Sequence, residues 1–201
     1  MYWIIVFLTA WISTQGVCAD ADKRMVIIGD SLTEGYGVTH DEAYPALLQN
    51  KIKADGKPWQ VVNSGLSGST TASAVARVKW QLKQKPDLIL LALGANDGLR
   101  GLSVESVEKN LSEALKACLE AKVKVVLVGI KLPPNYGADY IKRFEAVFPR
   151  LAKKFNVPLI PFLLENVGGD KTLNQADGIH PNAKGHALIA NQVYQKIRGL
   201  L

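Results

Sequence analysis

The segment Met25-Val26-Ile27-Ile28-Gly29-Asp30-Ser31-Leu32 joins a short, wholly apolar run to a polar turn that contains a serine. An apolar run of this length that ends at a glycine is typical of a strand buried on both faces. A serine that follows such a strand lies at the carboxyl end of the sheet, where open α/β sheets bind their ligands. Taken alone the turn is weak evidence, because Gly, Asp and Ser are ordinary turn residues. The segment predicts a buried strand at 25–29 and places Ser31 at a functional edge.

Apolar runs alternate with amphipathic segments along the rest of the chain. Leu88–Leu93 is apolar on both faces, as a parallel sheet covered by helices requires. The alternation predicts an α/β fold, a three-layer α/β/α sandwich, and about five strands favour a flavodoxin-like parallel sheet. Ser103 is the expected N-cap of the helix that shows helical spacing best. The predicted strands are 25–29, 59–63, 87–93, 123–130 and 157–161, and the predicted helices are 43–54, 70–85, 103–121, 139–155 and 183–200.

The N-terminal segment, residues 1–21, has the pattern of a secretory signal peptide, and residues 22–201 have that of a single domain. Tyr2–Ile12 is apolar but shorter than a membrane span, and small residues near positions 19 and 21 offer cleavage sites. The segment lacks the basic residues that usually precede the apolar run, so an uncleaved anchor is the alternative. We expect cleavage near 19 or 21 and a periplasmic or secreted protein.

Charge and residue usage argue against several classes of function. The formal charge is +6, but the lysines are spread along the chain, which favours solvated helix surfaces, with a weak attraction to anionic lipid as the alternative. Nucleic-acid binding requires clustered arginines with interleaved aromatic residues, and neither is found. Two cysteines and three scattered histidines give no metal-ligand spacing, and Gly35-Tyr36-Gly37 lacks the third glycine of a dinucleotide fingerprint. We therefore expect no metal, no cofactor and a monomer.

The segment Asp177–Pro181 supplies a base for Ser31. A serine hydroxyl becomes an effective nucleophile only when a base takes its proton during attack. Asp177 can hold the Nδ1–H of His180 and leave Nε2 facing Ser31, with Pro181 beginning the last helix. The non-catalytic alternatives are a turn-forming Asp177, a surface His180 and a capping Ser31. His186 lies inside the predicted last helix and is expected to pack rather than react.

Acyl transfer also needs hydrogen-bond donors for the oxyanion that develops in the transition state. The candidate donors are the backbone N–H of Ser31, the unhindered N–H of Gly68 and the side-chain amide of Asn96. Gly65 competes with Gly68 for this role. Each of the three donors follows a predicted strand, so all are expected at the same edge of the sheet.

The four segments, in this order, resemble the four blocks of the SGNH (GDSL) hydrolase superfamily. The blocks are Gly29–Leu32, Gly68, Gly94–Asp97 and Asp177–His180. The similarity covers essentially the whole chain after residue 21 and is greatest to bacterial periplasmic esterases that act on acyl-CoA thioesters, lysophospholipids and aryl esters. It implies the flavodoxin-like SGNH fold, a metal-free mechanism through an acyl-enzyme, and hydrolysis of acyl thioesters and carboxylic esters. The implied residues are a Ser31, Asp177 and His180 triad and an oxyanion hole from Ser31, Gly68 and Asn96.

The same resemblance implies where substrate binds. In that family the loop after the Asn block moves over the acyl chain, which assigns this role to Asp97–Gly101, and the Pro133–Gly137 loop lines the acyl groove. Arg100 has two interpretations, a contact to a charged head group or a solvated side chain. The implied substrate-binding residues are Asp30, Asp97, Gly98, Leu99, Pro134, Asn135 and Tyr136.

Two other functions remain open at this point. A carbohydrate or peptidoglycan O-deacetylase would use the same triad but needs a polar sugar cleft in place of a long apolar groove. A non-catalytic acyl-lipid binding protein on the same fold would bind without turnover. A lipase of the common α/β-hydrolase type is not expected, because the chain has no G-x-S-x-G segment.

Overall fold

A five-stranded parallel sheet forms the centre of the protein in a computed structural model that describes residues 23–201. The predicted signal peptide, residues 1–21, lies outside the described residues. The strand order is β2-β1-β3-β4-β5, so β1 lies between β2 and β3 and the direction of strand addition reverses once, as in a flavodoxin-like fold. The strands are β1 (Lys23–Gly29), β2 (Trp59–Gly65), β3 (Leu88–Ala92), β4 (Lys124–Val128) and β5 (Leu159–Ile160).

Helices cover the sheet in two groups and make it the middle layer of a three-layer sandwich. One group pairs α2 with α8, and the other packs α5 against both α3 and α7. The expected α/β/α class is confirmed. The helices are α1 (Ser31–Glu34), α2 (Tyr44–Ala54), α3 (Ala74–Leu82), α4 (Ala95–Leu99), α5 (Val104–Glu120), α6 (Ala138–Glu145), α7 (Val147–Phe155) and α8 (Ala183–Ile197), with 3-10 turns at His40–Glu42, Thr71–Ser73 and Pro134–Tyr136.

The core lies on both faces of β1 and β3, whose apolar side chains are almost entirely removed from water. Phe144 and Phe148 pack edge to face beside them, with ring centroids 5.6 Å apart. A Cβ placed on Gly94 would lie 3.2 Å from the Phe148 ring, and the φ of this glycine is +128°. Glycine is thus needed where β3 turns into α4, and this turn sets the position of Asn96.

The predicted helices were correct in place, but two of them differ in detail from the structure, and so does the role expected of Pro181. The 139–155 segment forms two helices, α6 and α7, because Pro149 has no N–H to donate to the carbonyl four residues earlier. The 70–85 segment begins with a 3-10 turn before α3. Pro181 does not begin the last helix: Asn182 caps it, accepting from the N–H groups of Lys184 at 3.0 Å and Gly185 at 3.1 Å.

Strand register brings the predicted functional segments to one edge. Gly29, the last residue of β1, pairs with Gly65 of β2 and with Ala92 of β3. The residues that follow these strand ends therefore meet at the carboxyl edge of the sheet, as the sequence predicted. None of the helices within residues 23–201 has both the length and the apolar character to cross a membrane.

Candidate active site

Ser31 lies at the start of α1, a single helical turn directly beyond β1. Asp30 caps this turn, because its Oδ1 accepts the N–H of Leu32 at 3.1 Å, and Gly35 ends it in a left-handed conformation. A Cβ on Gly29 would lie 1.9 Å from the Oγ1 of Thr33. The turn can therefore fold back this tightly only with glycine at position 29, and this fixes the direction of the Ser31 side chain.

The side chains of Ser31, His180 and Asp177 form one continuous hydrogen-bonded line. His180 Nε2 lies 2.9 Å from Ser31 Oγ, and His180 Nδ1 lies 2.7 Å from Asp177 Oδ2. Because an ionised carboxylate only accepts, Nδ1 carries the proton and Nε2 is left to accept from the serine hydroxyl. The backbone N–H and the ring of His180, with the N–H of Ile179, hold the pKa of Asp177 at about 2. Asp177 therefore stays charged at any physiological pH.

A second set of contacts, which the sequence did not predict, holds the loop that contains His180 against the α1 turn that contains Ser31. Gln175 Nε2 donates to the carbonyls of Tyr36 at 2.7 Å and Pro181 at 3.0 Å, and its backbone N–H donates to His180 O at 2.8 Å. The Tyr36 ring lies against the imidazole, with centroids 4.7 Å apart. Gln175 therefore links two segments that are far apart in sequence and fixes the ring of His180 opposite Ser31.

The three predicted oxyanion donors follow the carboxyl ends of β1, β2 and β3. Within residues 23–201, the N–H groups of Ser31 and Gly68 have no hydrogen-bond acceptor. Asn96 Nδ2 gives one hydrogen to Ser69 O at 3.0 Å and retains a second. Gly65, the competing residue, donates its N–H to Asn63 Oδ1 at 2.9 Å. The geometry thus favours Gly68 over Gly65, and the φ of Gly68, +76°, explains a glycine there.

Comparison with known proteins places the chain in a family. The model of the GDSL-like Lipase/Acylhydrolase family matches residues 27–188, a range that includes Ser31, Gly68, Asn96, Asp177 and His180. The chain belongs to this family. It is a GDSL-type hydrolase.

Curated relatives and solved structures agree with this assignment. The GDSL hydrolase is 37% identical to Esterase TesA of Pseudomonas aeruginosa over 182 residues, 90% of each chain. It is 39% identical to a thioesterase/protease/lysophospholipase of Escherichia coli over 184 residues, 91% of this chain and 87% of that one. A crystal structure of the psychrotrophic esterase EstA from Pseudoalteromonas, inhibited by monoethylphosphonate, superposes with a TM-score of 0.85 at 35% identity, covering 89% of this chain and 98% of that one.

The residues that were expected to bind substrate separate into two groups. Asp30 and Asp97 are only 1% and 2% exposed, and Gly98 is buried against Leu132. The Asp97 carboxylate accepts from the hydroxyl of Thr71 at 2.6 Å and from its N–H at 2.9 Å. These three residues therefore pack beneath the surface of the site, and their expected contact with substrate stays a prediction.

The remaining expected residues do reach the surface. Pro134 and Asn135 are exposed, and Leu99 and Tyr136 are half-buried. The hydroxyl of Tyr136 donates to Leu99 O at 3.0 Å, which joins the Pro133–Gly137 loop to the end of α4. The role of these four residues in substrate binding stays a prediction.

The carboxyl group of Asp30 is buried beside the α1 turn that contains Ser31 in this GDSL hydrolase. Burial raises its pKa to about 6, although the N–H of Leu32 and the charges of His180 and Arg77 oppose the shift. Among residues 23–201 its Oδ2 has no hydrogen-bond partner. Arg77, also missed from the sequence, donates to Gly29 O at 2.8 Å and to Ser64 O, which joins the ends of β1 and β2. The same part of the chain holds no cluster of side chains able to bind a metal ion.

Proposed function

We propose that this GDSL hydrolase cleaves acyl thioesters and carboxylic esters, including aryl esters and lysophospholipids, through a Ser31–His180–Asp177 triad. The observation that carries the proposal is the line of contacts from Ser31 Oγ through the His180 ring to Asp177, at 2.9 Å and 2.7 Å. The two relatives described above, an esterase and a thioesterase/protease/lysophospholipase, support the substrate classes.

The triad geometry supports a two-stage acyl transfer. His180 Nε2 takes the hydroxyl proton as Ser31 Oγ forms a bond to the acyl carbonyl carbon. The resulting imidazolium gives that proton to the leaving alcohol or thiol as the ester or thioester bond breaks, and the acyl group remains on Ser31. Water then attacks in the same way: His180 takes one of its protons as the water oxygen forms a bond to the acyl carbonyl carbon. The acyl–oxygen bond to Ser31 breaks, the serine oxygen takes the proton from the imidazolium, and the free acid is released. Asp177 stabilises the imidazolium in both stages.

The proposed oxyanion hole consists of the Ser31 and Gly68 N–H groups and the second N–H of Asn96. Backbone donors without an internal acceptor do not have to give up another hydrogen bond when the oxyanion forms. Asn96 is itself held by Ser69 O, so its amide is oriented before substrate arrives. Preorganised donors of this kind are often the largest contribution to the rate of acyl transfer.

We assign the acyl chain to the surface formed by Leu99, at the end of α4, and Tyr136, in the Pro133–Gly137 loop. Leu99 and Tyr136 are half-buried and offer apolar surface, and Pro134 and Asn135 are exposed next to Tyr136 in the chain. The contact of a hydroxyl with a backbone carbonyl can break and reform without disturbing either helix. This arrangement supports a groove that can admit acyl chains of different length.

We also propose that the protein is exported, with residues 1–21 removed, that it acts as a monomer, and that its lysine-rich helix surfaces make at most weak contacts with anionic lipid. The support is the signal-like N-terminus and the spread of positive charge. Fractionation of expressing cells with N-terminal sequencing of the product tests export. A product that retains Met1 in the cytoplasmic fraction would contradict it.

Hydrolysis of p-nitrophenyl esters from acetyl to palmitoyl by wild type and by Ser31→Ala tests the function. We expect turnover of medium and long chains by wild type and almost none by Ser31→Ala, whose hydrophobic core is unchanged. Turnover confined to the acetyl ester would favour the deacetylase alternative. Binding without turnover would favour the lipid-binding alternative, and full activity of Ser31→Ala would overturn the triad.

A further inference from the structure

The side chain of Glu34 joins the loop that contains Gly68 directly to α1, the helical turn that contains Ser31. Glu34 is the last residue of α1, three residues after Ser31. Its Oε2 accepts the backbone N–H of Ser67 at 2.8 Å and also the Ser67 hydroxyl. One carboxylate oxygen thus fixes two donors of the residue immediately before Gly68.

The backbone around this contact leaves little room for the loop to take another position. A Cβ on Gly65 would lie 2.1 Å from the Glu34 backbone nitrogen, so the end of β2 rests directly on the end of α1. The N–H of Leu66 donates to Gly29 O at 3.2 Å. The segment that leads to Gly68 is therefore fixed at Leu66 by this backbone hydrogen bond and at Ser67 by the Glu34 carboxylate.

The far side of the same loop is held by α4 and the residue that follows it. Arg100 Nη2 donates to Gly68 O at 3.2 Å, and Asn96 Nδ2 donates to Ser69 O at 3.0 Å. Glu34 is the contact on the opposite, amino side. The peptide group between Ser67 and Gly68, which contains the proposed oxyanion donor, thus lies between a contact from α1 and a contact from Arg100.

We propose that Glu34 is a positioning residue: it orients the Ser67–Gly68 peptide so that the Gly68 N–H points to the oxyanion of the acyl group on Ser31. The inference rests on the proposed function, since it assumes the oxyanion role of Gly68. Glu34 is exposed and touches neither Ser31 Oγ nor the His180 ring through a hydrogen bond, so it takes no part in proton transfer. Its effect is exerted in the transition state, when the carbonyl oxygen becomes charged.

Steady-state kinetics of Glu34→Ala with a p-nitrophenyl ester test the proposal. We expect kcat to fall about tenfold, the equivalent of one well-oriented charged hydrogen bond, while KM changes by less than about twofold. Glu34→Gln should recover most of the lost activity, because its amide oxygen can still accept the N–H of Ser67. Ser67→Ala should lose less than Glu34→Ala, since the backbone contact remains, and the two changes should not be additive.

Inhibition by an alkylboronic acid separates orientation of the oxyanion hole from general damage to the protein. The boronate forms a tetrahedral adduct on a reactive serine and places an oxygen in the oxyanion hole. In Glu34→Ala its inhibition constant should therefore rise by the same factor as kcat/KM falls. Glu113→Ala is the matched control, because Glu113 is an exposed glutamate on α5 whose side chain makes no hydrogen bond or ion pair to other residues within 23–201, and it should behave as wild type.

The outcomes are distinguishable. An unchanged kcat in Glu34→Ala, or a rise in KM without a fall in kcat, would overturn the positioning role of Glu34. Neither result would affect the proposed triad. A fall in melting temperature without rescue by Glu34→Gln would show that Glu34 is structural. If Ser31→Ala retains activity, the proposed function itself fails.

Discussion

Acidification is expected to destabilise this protein through His186, a buried histidine outside the proposed triad. His186 lies on α8, is 1% exposed, and its Nδ1 accepts the backbone N–H of Tyr44 at 3.2 Å. The ring is therefore neutral in the folded protein, with its proton on Nε2. Burial lowers its pKa from 6.5 to about 4, an effect that the Glu42 charge only partly offsets.

The size and direction of the effect follow from this shift. Below pH 6.5 the unfolded chain binds a proton at this position and the folded protein does not, so the free energy of unfolding falls as the pH falls. The contribution is fully present above pH 6.5 and is lost as the pH decreases toward 4. A shift from 6.5 to about 4 corresponds to a maximum loss of about 3 kcal/mol, of which about 2 kcal/mol is lost by pH 5.

Urea unfolding of wild type and His186→Asn at neutral pH and at pH 5 measures this contribution. Asparagine cannot be protonated, and its side-chain oxygen can take the place of Nδ1 as acceptor for Tyr44. Asp30 acts in the opposite direction over the same range, because its folded pKa is raised to about 6, so the wild-type curve alone is not sufficient. We expect wild type to lose about 2 kcal/mol more than His186→Asn between the two pH values. An equal loss in both proteins would refute a neutral, buried His186.

Further substitutions test the site and the fold. Asn96→Ala should lower kcat about 10²–10³-fold through loss of an oxyanion donor, measured by steady-state ester hydrolysis, and a smaller change would make Asn96 structural. Asp177→Asn should lower kcat up to about 10⁴-fold with little change in melting temperature, because the amide favours the wrong tautomer of His180. Phe148→Ala should reduce the free energy of unfolding by about 3–5 kcal/mol in urea titrations, since the ring is 1% exposed against the core. Glu108→Gln removes an exposed pair with Arg150, at 2.7 Å, and should change stability by less than about 1 kcal/mol; a larger change would show that the pair is not merely a surface contact.

The layered fold and the meeting of Ser31 with His180 were predictable because they follow from local patterns. Apolar runs such as Leu88–Leu93 read as buried parallel strands, and parallel strands bring their carboxyl ends together. His186 was correctly expected to pack, because it lies on the buried side of an amphipathic helix. The break between α6 and α7 was missed, although Pro149 was visible as its cause.

Contacts between distant segments could not be read from the sequence. Gln175 and Tyr36 are 139 positions apart, and Glu34 and Ser67 are 33 apart, so no local pattern connects them. Asp97 was expected at the substrate, yet it is buried and bonded to Thr71. A carboxylate near a site can either hold neighbouring residues in place or contact the substrate. The direction of its side chain in the folded protein determines which role it has, and the sequence does not give that direction.

Covalent labelling with an alkyl fluorophosphonate tests the central claim, that Ser31 is a nucleophile activated by His180, most directly. The serine oxygen displaces fluoride and forms a stable phosphonyl ester, which intact-mass and peptide mass spectrometry detect. We expect one adduct per chain on the peptide that contains Ser31, none in Ser31→Ala, and much slower labelling in His180→Ala. Labelling of a different residue, or equal labelling of the Ser31→Ala variant, would contradict it.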